Sequence, residues 1–230
     1  MATSGTYDFT VTNGEAVLAA FERVRVFAPQ LRQTHMVTAR REMNLLLVEW
    51  ANKQVNLWKV ELLSVPMLAG IATYPVPARV VMILDAWIRL TSGGSMVDRF
   101  ITPVSRTQYA SYANKATPGQ PTTYWFDRLI APTITMWPVQ NVSGVATLFY
   151  YAVSQMQDSN LQGGQTPDLP YLWLDAFVAG LAHRLSRTYA PDLEIKRKAD
   201  AVEAWDIAAT QNVEQVNLVI APPIGNYYRR

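Results

Sequence analysis

Apolar residues recur at three- and four-residue steps at both ends of this 230-residue chain, and as short β-branched and aromatic clusters in between. Two periodicities in the order helix, strand, helix restrict the chain to a mixed fold. Thr12 and Glu15 stand at capping-box spacing ahead of Val17, Phe21 and Val24, and Pro29 closes that first helix. A second helix is predicted from about Thr34 to Lys53. Met43, Leu45, Leu46, Leu47, Val48, Trp50 and Ala51 almost encircle its second half, the pattern of a helix buried on several sides.

From residue 57 the pattern changes. Clusters at 57–65, 71–76, 80–90, 97–104, 122–129, 133–137 and 145–153 alternate with turn sequences such as Ser92-Gly93-Gly94 and Asn141-Val142-Ser143-Gly144. The clusters at 122–129 and 133–137, parted by Ala131-Pro132, form a predicted hairpin. The region reads as an antiparallel sheet or small sandwich inserted between helices. A Gly/Gln/Pro linker follows from Ser159 to Pro170. Leu174, Phe177, Val178, Leu181 and Leu185 then mark a third helix. Ala190-Pro191 starts a fourth, with Ile195, Ala199, Val202, Trp205 and Ala209 as its apolar stripe and Lys196, Arg197 and Lys198 outward. Pro222 and Pro223 forbid a helix beyond about Glu214. The expected fold class is α+β. A discontinuous helical bundle comprises residues 1–56 and 159–213, an antiparallel β domain (57–158) is inserted into it, and an extended tail (214–230) ends the chain.

Composition narrows the function. No cysteine is present, which excludes disulfides, thiolate metal sites and cysteine nucleophiles. His35 and His183 each lack a second ligand at four-residue spacing, so no histidine metal site is expected. No Gly-x-Ser-x-Gly elbow, phosphate-binding glycine loop or calcium loop occurs, and no cofactor is expected. Gly163-Gly164-Gln165 matches a peptide-release tripeptide but lies in the linker. A chance carboxylate pair such as Asp85 with Asp127 is the one remaining route to hydrolysis. The first residues have neither a basic nor an apolar leader segment, and no apolar run approaches the ~20 residues that span a bilayer, so neither a secretory signal nor membrane association is expected.

Half of the residues are hydrophobic and only 17% charged, with a net charge of +2. So apolar a chain would carry awkward exposed surface as a monomer, which points to assembly. Trp87, Tyr124, Trp125 and Trp137 are candidate interface aromatics. Arg40, Arg41, Arg184, Arg187, Lys196, Arg197 and Lys198 are candidates for an interface or for non-specific contact with double-stranded DNA. Leu218, Ile220, Ile224, Tyr227, Tyr228, Arg229 and Arg230 form an apolar, basic-ended tail suited to docking as an extended strand on a partner.

Several segments together resemble a known family. The opening MATSGT, the stretch TARREMNLLLVEWANKQVNLW from Thr38 to Trp58, GQPTTYWFDR from Gly119 to Arg128, TMWP from Thr135 to Pro138, and WLDAFVAGLA from Trp173 to Ala182 resemble the head-to-tail connectors, or tail adaptors, of short-tailed phages. The resemblance implies a structural virion protein without enzymatic activity. It implies a dodecameric homo-oligomeric ring between the portal protein and the tail nozzle protein, with DNA passing through and tail fibres or tailspikes as further candidate neighbours. Helical parts would face the portal, the β part would face the tail, and the C-terminal tail would reach along the portal. Such a protein resides in the host cytoplasm during assembly and at the head–tail junction of the virion afterwards. Two other readings stay open: a virion-associated cell-wall hydrolase, and another virion component such as a nozzle or head-completion protein.

Overall fold

A computed structural model describes residues 5–7, 9–92 and 94–213 of the chain. Helix α1 (Asn13–Arg23) starts where the sequence places it. The Thr12 side chain accepts from the Glu15 amide and the Glu15 carboxylate accepts from the Thr12 amide, so a complete capping box satisfies two otherwise orphaned donors. Helix α2 spans Gln33–Lys53. Strands β1 (Val60–Pro66), β2 (Thr73–Pro75), β3 (Val80–Ser92) and β4 (Ser95–Pro103) follow. A short helix α3 (Arg106–Ser111) precedes β5 (Thr123–Asp127), β6 (Thr133–Trp137) and β7 (Ala146–Ser154). Helices α4 (Leu174–Tyr189) and α5 (Glu194–Ala209) close the described chain.

The seven strands form one sheet in the order β1-β7-β3-β4-β5-β6-β2. Every pairing is antiparallel except β4 with β5, which run parallel through Thr102–Thr123 and Pro103–Tyr124. The wholly antiparallel expectation is corrected at that point. The physical reason is α3, which turns the chain after β4 so that β5 enters in the same direction. The predicted hairpin is present as β5 and β6.

Two hydrophobic cores result. The first draws Ala16, Val17, Ala20 and Phe21 of α1, Met43, Leu46, Leu47 and Trp50 of α2, Phe177, Leu181 and Leu185 of α4, and Ala208 of α5 into one cluster. Helices from both ends of the chain therefore share a core, the discontinuous bundle of the expected fold class. Gly180 permits the close approach of α4 to α2, because a Cβ there would lie 3.0 Å from both terminal carbons of Leu46. The second core lies on one face of the sheet, built from Ala86, Ile88, Ile101, Ile134, Leu148, Tyr150 and Ala152. Tyr150 is fully buried, and its hydroxyl has no hydrogen-bond partner among the described residues. Tyr150→Phe removes that unpaired group while keeping the ring. Thermal melting is expected to show stability unchanged or raised by about 1 kcal/mol, against a loss if the hydroxyl were bonded.

The linker after β7 is pinned to the helices. Asn13 donates from its amide to the Gln165 carbonyl (2.8 Å) and from Nδ2 to the Asn160 carbonyl (2.8 Å). Asn44 exchanges two bonds with the backbone of Ser159, and Lys59 pairs with Asp168 at 2.7 Å. The Gly163-Gly164-Gln165 tripeptide is a turn in this pinned segment, with Gly164 at a φ of 78°.

Candidate interaction surfaces

The two histidines are packed within the fold. His35 Nδ1 accepts from the Arg32 amide, and its ring packs against Phe21 and Tyr189. His183 lies 3.7 Å from Glu194, and burial together with the neighbouring Arg187 holds its pKa below the ordinary value. Asp85 sits in the irregular stretch of β3 and, with burial as the larger cause, raises the Tyr124 phenol to about 12. Among the described residues no group of three or more His, Cys, Asp or Glu side chains could hold a metal ion. No helix among them is long and apolar enough to cross a membrane.

The four candidate aromatics fall in three places. Tyr124 is 2% exposed and belongs to the sheet core, so its position as an interface residue is corrected: it lies on the inward face of β5. Trp125 and Trp137 are half-buried beneath α3. Trp137 stacks on Tyr112 at 4.1 Å and donates from Nε1 to the Asn114 carbonyl, and Trp125 stacks on Tyr109 at 5.5 Å. Trp87 lies on the sheet face opposite the core. There it stacks on Phe149 (5.7 Å, 10° between planes) and meets Tyr151 at 5.4 Å. The β-sheet register sets Phe100 across from Trp87 and Leu62 across from Tyr151, and Phe100, Leu62 and Tyr151 are exposed. Arg89 covers Phe149 from above (4.7 Å) and is held by a bidentate pair with Asp98. The outcome is an uncovered aromatic face on β1, β7, β3 and β4.

Basic residues are likewise divided. Arg184 is committed within the fold: Nη1 donates to Glu42 (3.3 Å), and Nη2 to Glu49 (2.7 Å) and the Leu45 carbonyl (3.3 Å). Arg197 is directed inward and bonds Asp200 at 2.8 Å, which corrects its outward placement; it lies on the same side of α5 as Ala201 and Ala208. Arg187 is exposed near Glu194, and Lys196 and Lys198 are exposed on α5. Arg40 and Arg41 stand on α2 beside an apolar groove that includes Val37, Leu45 and Val48. Arg187 and Lys198 border a different groove, between α2, α4 and α5. The two basic clusters are thus not brought together. The tail candidates Leu218, Ile220, Ile224, Tyr227, Tyr228, Arg229 and Arg230 lie outside the described residues.

Two apolar stripes run against expectation. Val48 and Leu45 on α2 are 49% and 46% exposed, so the second half of α2 is not buried all round. On α5, Ile195 and Val202 are 83% and 52% exposed and only Ala208 is buried. The predicted stripe is split: Trp205 and Ala209 pack on the core with Ala204 and Ala208, whereas Ile195 and Val202 are turned out. A chain that leaves two helix stripes and a sheet face open is built to be covered by other proteins.

The comparison with protein families agrees. The model of the family described as SU10 adaptor protein matches residues 34–218. The chain belongs to the SU10 adaptor protein family. No curated protein sequence matches it. The match begins at α2 and leaves out α1, yet Ala16, Val17, Ala20 and Phe21 are fully buried in the core shared by α2 and α4. In this adaptor α1 is therefore an integral part of the helical body. Family membership makes the protein a structural adaptor of a phage virion, one that contacts other virion components, and both exposed helix stripes lie within the matched segment.

Proposed function

We propose that this adaptor forms a dodecameric ring at the head–tail junction of a short-tailed phage, between the portal protein and the tail nozzle protein, with the genome passing through. The observation that carries this reading is the number of separate uncovered apolar surfaces on one adaptor subunit: the α2 stripe, the α5 stripe and the aromatic sheet face. A subunit with one partner needs one such surface; a ring subunit needs two for its neighbours and more for what lies above and below. The exposed cations Arg40, Arg187, Lys196 and Lys198 suit contact between subunits or non-specific contact with phosphates of passing DNA, which requires charge and no base-reading motif.

In this reading residues 214–230 dock on the portal as an extended segment, with Leu218, Ile220 and Ile224 as apolar anchors and Arg229 and Arg230 at its end. Deleting residues 216–230 tests it. Every core residue of the described chain lies at or before Ala208. The truncated chain is accordingly expected to melt within about 1 °C of the full chain, because surface and terminal changes away from the core have small effects. Its co-sedimentation with purified portal rings should fall at least tenfold. Undiminished portal binding by the truncated chain would sink the docking role of the tail.

A further inference from the structure

We propose that copies of this adaptor join head to tail, the outward stripe of α2 on one copy packing against the outward stripe of α5 on the next. The inference deepens the ring reading above and rests on it for the closure of the contact into a ring. At ~100° per residue, Ile195, Ala199, Val202 and Asp206 share one side of α5. They lie opposite Arg197, Ala201, Ala204 and Ala208, which are turned inward. On α2, Val37, Arg41, Val48 and Ala51 lie opposite Ala39, Met43, Leu46 and Trp50 of the core.

Charge selects the partner. Arg40 has no ion pair among the described residues, and Arg41 reaches only Glu42, at 3.4 Å. On α5, Glu203 and Asp206 flank the stripe and likewise make no ion pair among the described residues. Arg40 and Arg41 belong to the N-terminal half of α2, and Glu203 and Asp206 to the C-terminal half of α5. Antiparallel packing sets these opposite charges side by side. It also brings Lys196 and Lys198 to the C-terminal end of α2, whose free carbonyls favour cations. One acidic group, Asp158, lies at the rim of the α2 groove.

Geometry selects the mode. Within one subunit α2 faces α5 through Leu46, Glu49, Trp50 and Lys53, across a groove that Ala201, Trp205 and one edge of the α5 stripe, Val202 and Asp206, also line. That face of α2 is the one opposite Val48. The α2 stripe therefore points away from the α5 of its own subunit, and the two stripes of one subunit cannot meet. Pairing α2 with α2 would oppose arginines. Pairing α5 with α5 about a two-fold axis would match lysines with carboxylates but leave both α2 stripes bare. A single heterologous contact covers both stripes and repeats, which is the requirement for a ring.

Because the chain has no cysteine, the contact can be tested by cross-linking. In the register that sets Arg40 and Arg41 beside Glu203 and Asp206, Ala51 stands across from Ile195. Full-length Ala51→Cys and Ile195→Cys variants, oxidised in the presence of portal rings, should form covalent dimers only when mixed, with Val202→Cys alone as the control for a two-fold contact. The Ala51→Cys/Ile195→Cys double variant should give a ladder of oligomers. In a second arm, Arg40→Glu/Arg41→Glu should weaken self-association at least tenfold by sedimentation velocity, and adding Glu203→Arg/Asp206→Arg should restore it. Dimers from Val202→Cys alone would mean the two-fold α5 contact and overturn the proposal. Rings on the portal without any mixed cross-link would also overturn it while leaving the adaptor ring standing. A ladder formed by a protein that does not bind the portal would uphold the interface and sink the head–tail placement.

Discussion

Replacing Phe177 with alanine is expected to destabilise the protein by about 3–5 kcal/mol, the usual loss for emptying a large aromatic site in a packed core. Phe177 is fully buried on α4 and meets the Trp50 ring edge-on at 6.3 Å. Its cluster includes Phe21 from α1, Met43 from α2 and Leu181 from α4, so the site lies where both ends of the chain converge. Neighbouring side chains cannot fill the space without moving whole helices. For a chain of this size each kcal/mol corresponds to roughly 2–4 °C in melting temperature, so a drop of roughly 6–20 °C should be seen by calorimetry. A drop of only a degree or two would mean that the terminal helices do not share a core. Phe177→Leu, which keeps most of the volume, should recover the larger part of the loss.

Arg184→Ala should cost about 2 kcal/mol, for a reason that is electrostatic. The guanidinium satisfies Glu42, Glu49 and the Leu45 carbonyl together, and its side chain is 14% exposed. Removing one partner of a buried ion pair typically costs about 3–5 kcal/mol, because the remaining charge is left unpaired. Here Glu49 is 43% exposed and also pairs with Lys53 at 2.9 Å, so solvent and the second cation reduce the loss. Burial acts to raise the Glu49 carboxyl, but hydrogen bonds and charge from Lys53 and Arg184 outweigh it and hold the pKa below the ordinary carboxylate value. A carboxylate lowered in the folded state contributes stability that is present above its unfolded pKa and lost as pH falls through the folded one. Urea melts of Arg184→Ala should therefore show the deficit at neutral pH and a much smaller one in acid. A deficit equal at all pH values would mark lost packing of the arginine stem as the cause. Glu42→Gln/Glu49→Gln in the Arg184→Ala background should recover stability, since no buried carboxylate is left unpaired and the cations that lose a partner, Lys53 and Arg41, are solvated.

The Arg184 network also shows how surface and core can be mistaken for each other in a linear reading. Arg184, Arg187 and Lys198 look alike as basic residues on helices. Only the packing of α4 against α2 turns Arg184 onto two glutamates while leaving Arg187 and Lys198 open. Tyr124 and Trp87 are likewise equivalent by residue type. Strand alternation separates faces, but which face is covered depends on what folds back over the sheet. Tyr124 points into the core and Trp87 away from it. The short helix α3 left no periodic signal, since six residues are too few to show one, and it is Tyr109 of α3 and Tyr112 just after it that cover Trp125 and Trp137.

Much of the fold was nonetheless set by local chemistry. Thr12 and Glu15 start α1 through bonds that need only four residues of chain, and the apolar period of 17, 21 and 24 points one face inward wherever the helix lies. All seven β-type clusters became strands because β-branched and aromatic residues between turn sequences have few other options. The absence of cysteine excludes thiolate chemistry from any site in the chain. Alternation and periodicity, however, say only that a helix has an apolar side. On α5 there are two candidate sides, Ile195-Ala199-Val202 and Ala201-Ala204-Ala208. Tertiary packing chose the second, with Trp205 beside it on Trp173, and left Ile195 and Val202 outside the shared core. The sequence by itself determined the four longer helices, the seven strands, their order and the excess of apolar residues. Only the tertiary structure decided which of those residues are left over for the neighbours.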